Sequence, residues 1–206
     1  MKSSPCQHSE GDSSPQGESR YALVRQDGQA FLTAIRIYAD GRIDVHPRFE
    51  QQRLVSIREF EKMLNDEEIC LSVPDGTSIE IDTLGQMTVT DVMSWIDKPS
   101  DLLSEISDTI RKLNGEKDAI EKCREAFQQY LEEPTLKAKD ELQAAYEAVP
   151  EHHRMYVGDM DTKDILVRMI IYGEEEIEGW SHRAVARSLG EEELPTIDVP
   201  KPADEM

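Results

Sequence analysis

Two Asp-Gly pairs, Asp27-Gly28 and Asp40-Gly41, stand thirteen residues apart near the start of this chain. Both members of such a pair tolerate the positive φ that a two-residue hairpin turn demands. The flanking runs, 21–24, 31–38 and 42–45, carry β-branched and aromatic side chains, so the spacing predicts a three-stranded antiparallel meander. Ser56 with Glu59 three residues later forms a capping-box signal, and Ile57, Phe60 and Leu64 then fall on one helical face. Further strands are expected over 69–73, 77–81 and 87–92, the first two separated by a Pro74-Asp75-Gly76 turn. Residues 20–98 thus read as a small antiparallel sheet with a helix packed on one face, and Trp95 as a core plug at its margin.

The next segment, 99–150, changes period. Pro99-Ser100 marks a boundary with Ser100 as N-cap, and Leu102, Leu103, Ile106, Ile110 and Leu113 recur at helical spacing up to Asn114-Gly115. Ile120, Cys123, Phe127, Tyr130 and Leu131 mark a second helix ending at Glu133-Pro134. Leu136, Leu142, Ala145, Tyr146 and Val149 mark a third, stopped by Pro150. Each apolar stripe needs cover. A helical hairpin or bundle supplies it, and a homodimer through the same central helices would serve equally.

In residues 151–192 the eight-residue run Ile165–Tyr172 is nearly all apolar and reads as a buried strand. Residues 174–189 follow as a helix whose inner face holds Ile177, Trp180, Ala184, Val185 and Leu189, with glutamates in its first turn and Gly190 as its C-cap. The fold class is therefore α+β: a small antiparallel sheet with a packed helix, a central helical hairpin or bundle, and a C-terminal strand plus helix. Residues 1–19, poor in aliphatic side chains, read as a disordered tail, and 193–206 as an extended acidic tail with Leu194 and Ile197 free to lie against a neighbour.

Charge narrows the function. A net charge of -20 opposes direct contact with a phosphate backbone, which needs a positive stripe. Residues 151–206 are the most acidic part, with 14 acidic and 6 basic side chains. Cys6, Cys70 and Cys123 are unclustered, so neither a zinc knuckle nor a disulfide framework is indicated. No apolar signal-peptide stretch and no 18-residue apolar run occurs, which makes a cytoplasmic protein without membrane contact the expectation.

Several clusters could carry chemistry. Asp159, Asp161 and Asp164 form a D-x-D-x-x-D run, but as a calcium loop it lacks the glycine at position 6 and the glutamate at position 12, and Lys163 sits among the ligands. Turn-forming aspartate before the next element is the simpler reading. His152, His153 and His182 offer imidazoles to Asp159 and Asp161 without the i, i+4 spacing of a metalloprotease helix, so Asp159, Asp161 and His182 are the weak metal candidates. Ser181 beside His182 lacks the nucleophile elbow of a serine hydrolase, and no phosphate-cradling glycine motif occurs. No cofactor is implied. What remains is an acidic face at Glu174, Glu175, Glu176 and Glu178 with Trp180 beside it and Tyr172 before it, suited to protein contact.

The stretches VRQDGQAFLTAIRIYADGRIDV, TVTDV and GDMDTKDILVRMIIYGEEEIEGWSHR resemble an uncharacterised, two-part group of bacterial proteins over residues 21–92 and 151–200. The N-terminal half is also similar in style to the small immunity proteins that neutralise bacterial toxins. The resemblance carries no catalytic residue and implies a bacterial setting. The expected function is a non-enzymatic acidic protein that binds a basic protein, as an immunity-like inhibitor or an accessory subunit of a bacterial conflict or antiviral defence system. The alternatives are a metal-dependent hydrolase built on Asp159, Asp161 and His182, and a DNA-mimic inhibitor whose carboxylates imitate phosphates.

Overall fold

A computed structural model of the chain describes residues 16–46, 53–81, 84–94, 96 and 98–202. The expected tail up to residue 15, Trp95 and the last four residues lie outside these. β1 (Gly17–Gln26) and β2 (Gln29–Tyr38) pair over their whole length, from Gly17 opposite Tyr38 to Gln26 opposite Gln29. Asp27 (φ 50°) and Gly28 (φ 78°) both take the positive φ of the two-residue turn that fixes this register. β1 starts inside the stretch expected to be a tail, because Gly17, Glu18 and Ser19 complete the ladder opposite Tyr38, Ile37 and Arg36.

β3 (Arg42–Val45) continues the meander on β2, and β4 (Arg53–Ser56), which has no separate signal in the sequence, adds to β3. α1 (Ile57–Asn65) follows directly. Its capping box is formed as expected: the Ser56 hydroxyl accepts from the Glu59 amide, and the Glu59 carboxylate accepts from the Ser56 amide at 2.8 Å. β5 (Ile69–Cys70) is only a two-residue contact with β1, much shorter than the strand expected over 69–73. β6 (Ser78–Ile81) and β7 (Gly85–Thr88) form a hairpin, so the last strand sits earlier than the expected 87–92. β6 runs parallel to β2, pairing Ala30 with Ile79 and Leu32 with Ile81, which makes one ladder of an otherwise antiparallel sheet parallel. β2 is thus shared along one edge by β6 in its first half and β3 in its second.

α2 (Pro99–Leu113) begins with Pro99 at its first position, so Lys98 rather than Ser100 is the N-cap residue. It does not join the later helices. Leu102 and Ile106 close over Ile35, Ile37, Ile43, Val45 and Phe60, in a core shared by the sheet, α1 and α2. Burying each such side chain contributes about 1.5–3 kcal/mol before chain entropy is charged against it.

α3 (Ala119–Glu132) and α4 (Leu136–Glu147) form the expected hairpin, and α5 (Ile165–Tyr172) packs on it. The run read as a strand is therefore a helix. Ile165, Val167, Met169, Ile170 and Ile171 are all buried in it, and its outer side shows mainly Arg168 and Tyr172, too little to stamp a 3.6-residue period on so short a run. Cys123, Tyr130, Leu142, Tyr146, Val149, Val167 and Ile170 make this second core. The stripes that raised a homodimer are largely covered within one chain, by the sheet for α2 and by α3–α5 for the rest, while Leu131 and Leu136 stay exposed.

Residues expected as one helix after Gly173 split in two. A 3₁₀ turn, Glu174–Gly179, carries the glutamates, and α6 (Ser181–Leu189) starts after Trp180 and ends at Gly190 in the left-handed conformation. The C-terminal segment returns across the molecule: Ile197 and Val199 pack on α5, and the Tyr130 hydroxyl donates to the Pro200 carbonyl at 2.7 Å.

Candidate functional site

The stretch that looked most functional in sequence is a structural knot. Asp159 Oδ1 accepts from the amides of Asp161 (3.0 Å) and Thr162 (2.6 Å) and from the Thr162 hydroxyl (2.9 Å), and the Thr162 amide first among these holds its carboxyl below the usual range. Gly158 is required here, since a Cβ would land 1.3 Å from the Lys163 carbonyl oxygen. Asp164 turns the other way and accepts from the Tyr146 hydroxyl at 2.5 Å. Burial, then that bond to a carboxylate, pushes the Tyr146 phenol far upward, so it stays a donor. Asp161 contributes its carbonyl, not its carboxylate, accepting from Trp180 Nε1 at 3.0 Å. His182 stacks edge-on against Trp180 with ring centroids 4.8 Å apart. Asp159, Asp161 and His182 therefore do not gather as a ligand set among the described residues.

The proposed acidic face is also different from its sequence. Glu174 pairs with Lys201 at 2.8 Å, Glu176 with Arg168, and Glu178 with Arg183 at 3.3 Å and with Arg187. Glu175 bends back towards Gly173. Trp180 is buried among Ile165, Met169 and Ile177. Four carboxylates in five residues are thus largely answered by basic residues of this chain, and the tryptophan that follows them is a packing residue.

The structure gathers chemistry somewhere the sequence did not point. Between the sheet half and the helical half lies a polar cleft of about 330 Å³, whose lining comes from β1, α2, the α2–α3 turn and the 3₁₀ turn Glu151–Tyr156. Glu105 sits at its base with its side chain 11 % exposed. Arg20 Nη1 donates to Glu105 Oε2 at 2.6 Å. The other oxygen, Oε1, faces His152 Nε2 in close contact, yet no donor reaches it with hydrogen-bond geometry among the described residues. His153 is stacked on His152 with ring centroids 4.2 Å apart. Burial, then the neighbouring His152 ring, holds the His153 imidazole below its ordinary value, which favours the neutral form.

Local sequence explains this arrangement. Ile106 must face the sheet, and Glu105, one residue earlier on α2, is rotated towards β1 and the histidines. Pro150 starts the 3₁₀ turn, whose first bond runs from the His153 amide to the Pro150 carbonyl at 2.8 Å. Arg154 then ties the turn to the end of α4 through the carbonyls of Val149 at 3.1 Å and Glu147 at 3.4 Å. Further along the cleft, Asp118 caps α3, accepting from the Glu121 amide at 2.7 Å while Lys112 Nζ lies 2.6 Å from its other oxygen. Burial pushes the Asp118 carboxyl up, but Lys112 and the Glu121 amide outweigh it and hold the group below its usual value. Asp108 stays raised by burial despite its contact with Arg111.

Only His152 and His153 of this group carried a sequence signal, as a rare adjacent pair. Glu105 and Arg20 are two of many charged residues on amphipathic elements, and nothing local marks them. Among the described residues no helix is long and apolar enough to cross a membrane. No curated protein and no solved structure matches this chain. Two family models do match in succession, Domain of unknown function (DUF7638) over residues 7–117 and Domain of unknown function (DUF7639) over residues 118–196, and they meet at Asp118 in the cleft. With more than half of its length matched by the first of these, the chain belongs to the family Domain of unknown function (DUF7638), in an uncharacterised two-part arrangement.

Proposed function

We propose that this chain is a non-enzymatic binding protein that takes up an extended, basic segment of a protein partner along the free edge of β7. The observation that carries the reading is exposed apolar surface on a strand with an unpaired edge: Leu84, at the turn into β7, is 80 % exposed and Met87, on the strand itself, 48 %. β7 pairs only with β6 among the described residues, and its four residues, Gly85, Gln86, Met87 and Thr88, include no charge and no proline. Sheet edges left this way are unusual unless something pairs with them, because lysine, proline or a covering loop normally guards them. Strand addition to such an edge is a common mode of peptide recognition.

Charge supports the choice of partner. Between Lys62 and Lys98 the sequence has no Lys or Arg and eight acidic residues. A basic strand would be drawn to this face and oriented by it, whereas a second copy of a chain with net charge -20 would be repelled. Taken with the resemblance described from sequence, the reading fits an immunity-type inhibitor or an accessory subunit of a bacterial defence system.

Benzophenone placed at position 87 in the full chain tests this, with position 156 as an exposed control. The expected product is a crosslink from position 87 to a Lys/Arg-rich segment of one partner, lost when Leu84→Lys and Gln86→Lys are combined and kept when Glu174, Glu175 and Glu178 are changed to Lys. Crosslinks equal at both positions, a crosslinked homodimer, or a partner indifferent to the edge lysines would each overturn the reading.

A further inference from the structure

Glu105, His152 and His153 each offer one ligand atom, and these atoms all lie within 4.8 Å of one another. Tetrahedral zinc-type ions hold nitrogen and oxygen ligands at about 2.0–2.2 Å, which places neighbouring donors roughly 3.3–3.5 Å apart. The His152 and Glu105 donors lie closer together than that, and the whole set spans no more than 4.8 Å. An ion would draw His153 inwards and open the tight contact between His152 Nε2 and Glu105 Oε1, both small rotations of side chains on a fixed backbone.

Three features argue that the cluster is more than chance proximity. First, Glu105 Oε1 is buried and meets His152 Nε2 in a contact without hydrogen-bond geometry, so no well-formed donor answers this carboxylate oxygen. A buried carboxylate oxygen is rarely left so unless a cation answers it. Second, the Arg20 guanidinium holds the opposite oxygen at 2.6 Å, fixing the carboxylate so that Oε1 points at the imidazoles. That is the role an outer-shell partner plays around a bound metal, and it leaves Glu105 a single oxygen to give. Third, the donors are two imidazoles and one carboxylate, a set that suits a zinc-type divalent ion and not calcium or magnesium, which prefer all-oxygen shells.

We infer that Glu105, His152 and His153 form a binding site for a zinc-type divalent cation, with the fourth position open to the cleft. The ion would join the two family regions, because Glu105 lies in residues 7–117 and both histidines in residues 118–196. Its effect is a clamp across the junction, independent of the β7 edge and of any partner there.

Calorimetric titration of the chelator-stripped full chain with Zn²⁺ in excess Mg²⁺ tests the site, with Co²⁺ absorption reporting the ligand geometry. One ion per chain is expected, with a four- or five-coordinate Co²⁺ spectrum and a rise in thermal midpoint on adding zinc. Glu105→Gln, His152→Ala and His153→Ala should each weaken binding by more than the roughly 10–100-fold that losing an outer-shell partner costs. Asp159→Asn combined with His182→Ala should leave it unchanged. Absence of micromolar binding by the unmodified chain overturns the inference whatever the variants do. Weak binding of several ions displaced by Mg²⁺, which is what scattered surface carboxylates would give, overturns it too, as does binding lost with Asp159 and His182 but kept without Glu105.

Discussion

Trp180 carries two sequence readings, an inner-face packing residue and a contact residue on an acidic face, and their consequences differ most measurably. As a contact residue on an acidic face it would be exposed, and its removal would leave stability untouched. In the structure it is 9 % exposed, packs on Ile165, Met169 and Ile177, and donates its indole N–H to the Asp161 carbonyl. Truncating a buried Trp to Ala costs about 3–5 kcal/mol. The cluster is small and lies near the surface, where neighbours can collapse into the gap, so the low end, about 3 kcal/mol, is expected. Trp180→Phe keeps most of the buried ring and loses the indole donor, a change of about 1 kcal/mol. For a chain of this size the urea dependence of unfolding lies near the top of the usual range, about 3 kcal/mol per molar. The urea midpoint should then fall by about 1 M for Trp180→Ala and about 0.3 M for Trp180→Phe. A midpoint for Trp180→Ala within about 0.3 M of the parent, together with lost partner binding, would refute the packing role and restore the contact role.

Asp118→Ala removes the cap of α3 at the junction of the two regions and should destabilise by about 1–2 kcal/mol, measured by denaturant titration at neutral pH. The folded Asp118 carboxyl lies below its usual 3.8, so its contribution is full above that value and is lost as pH falls through the lower folded one; the acid limb of stability should therefore flatten in this variant. Burial pushes the Cys123 thiol up to about 11, and the side chain is fully buried. In a Cys6→Ser, Cys70→Ser chain at pH 8, alkylation of Cys123 should follow the rate of unfolding; labelling of the folded chain as fast as a free thiol would contradict that core placement.

The sheet half was legible because its signals are local. Asp27-Gly28, the Ser56 and Glu59 box, Asn114-Gly115 and Gly190 each fix a turn or a helix end through their own backbone preferences, whatever packs on them. Ile165–Tyr172 was not legible, for the opposite reason: a segment whose outer side holds little besides Arg168 and Tyr172 has almost no polar face, and eight residues that are all apolar but Arg168 fit a strand or a short helix equally. What decided it was the hairpin of α3 and α4, which offers a groove for a helix and no strand edge to pair with. The candidate site was less legible still. Glu105 and Arg20 lie 85 positions apart in the chain, and only the closure of α2 over the sheet brings them to the histidines.

The parallel ladder between β2 and β6 has a consequence for how the molecule assembles. Ala30 must find Ile79, 49 positions later, whereas β1, β2 and β3 are joined by turns of a few residues. Loop closure grows costlier with length, so the meander can zip early while β6 waits for a long-range encounter. The β6–β7 hairpin, closed locally between Ile81 and Gly85, then arrives as a preformed unit. During translation Ile79 emerges after the whole meander, and until then the first half of β2 has an unfilled edge. The last strand to be added, β7, carries no charged residue, which makes the order of assembly, and not only the finished sheet, a point at which another extended chain can compete.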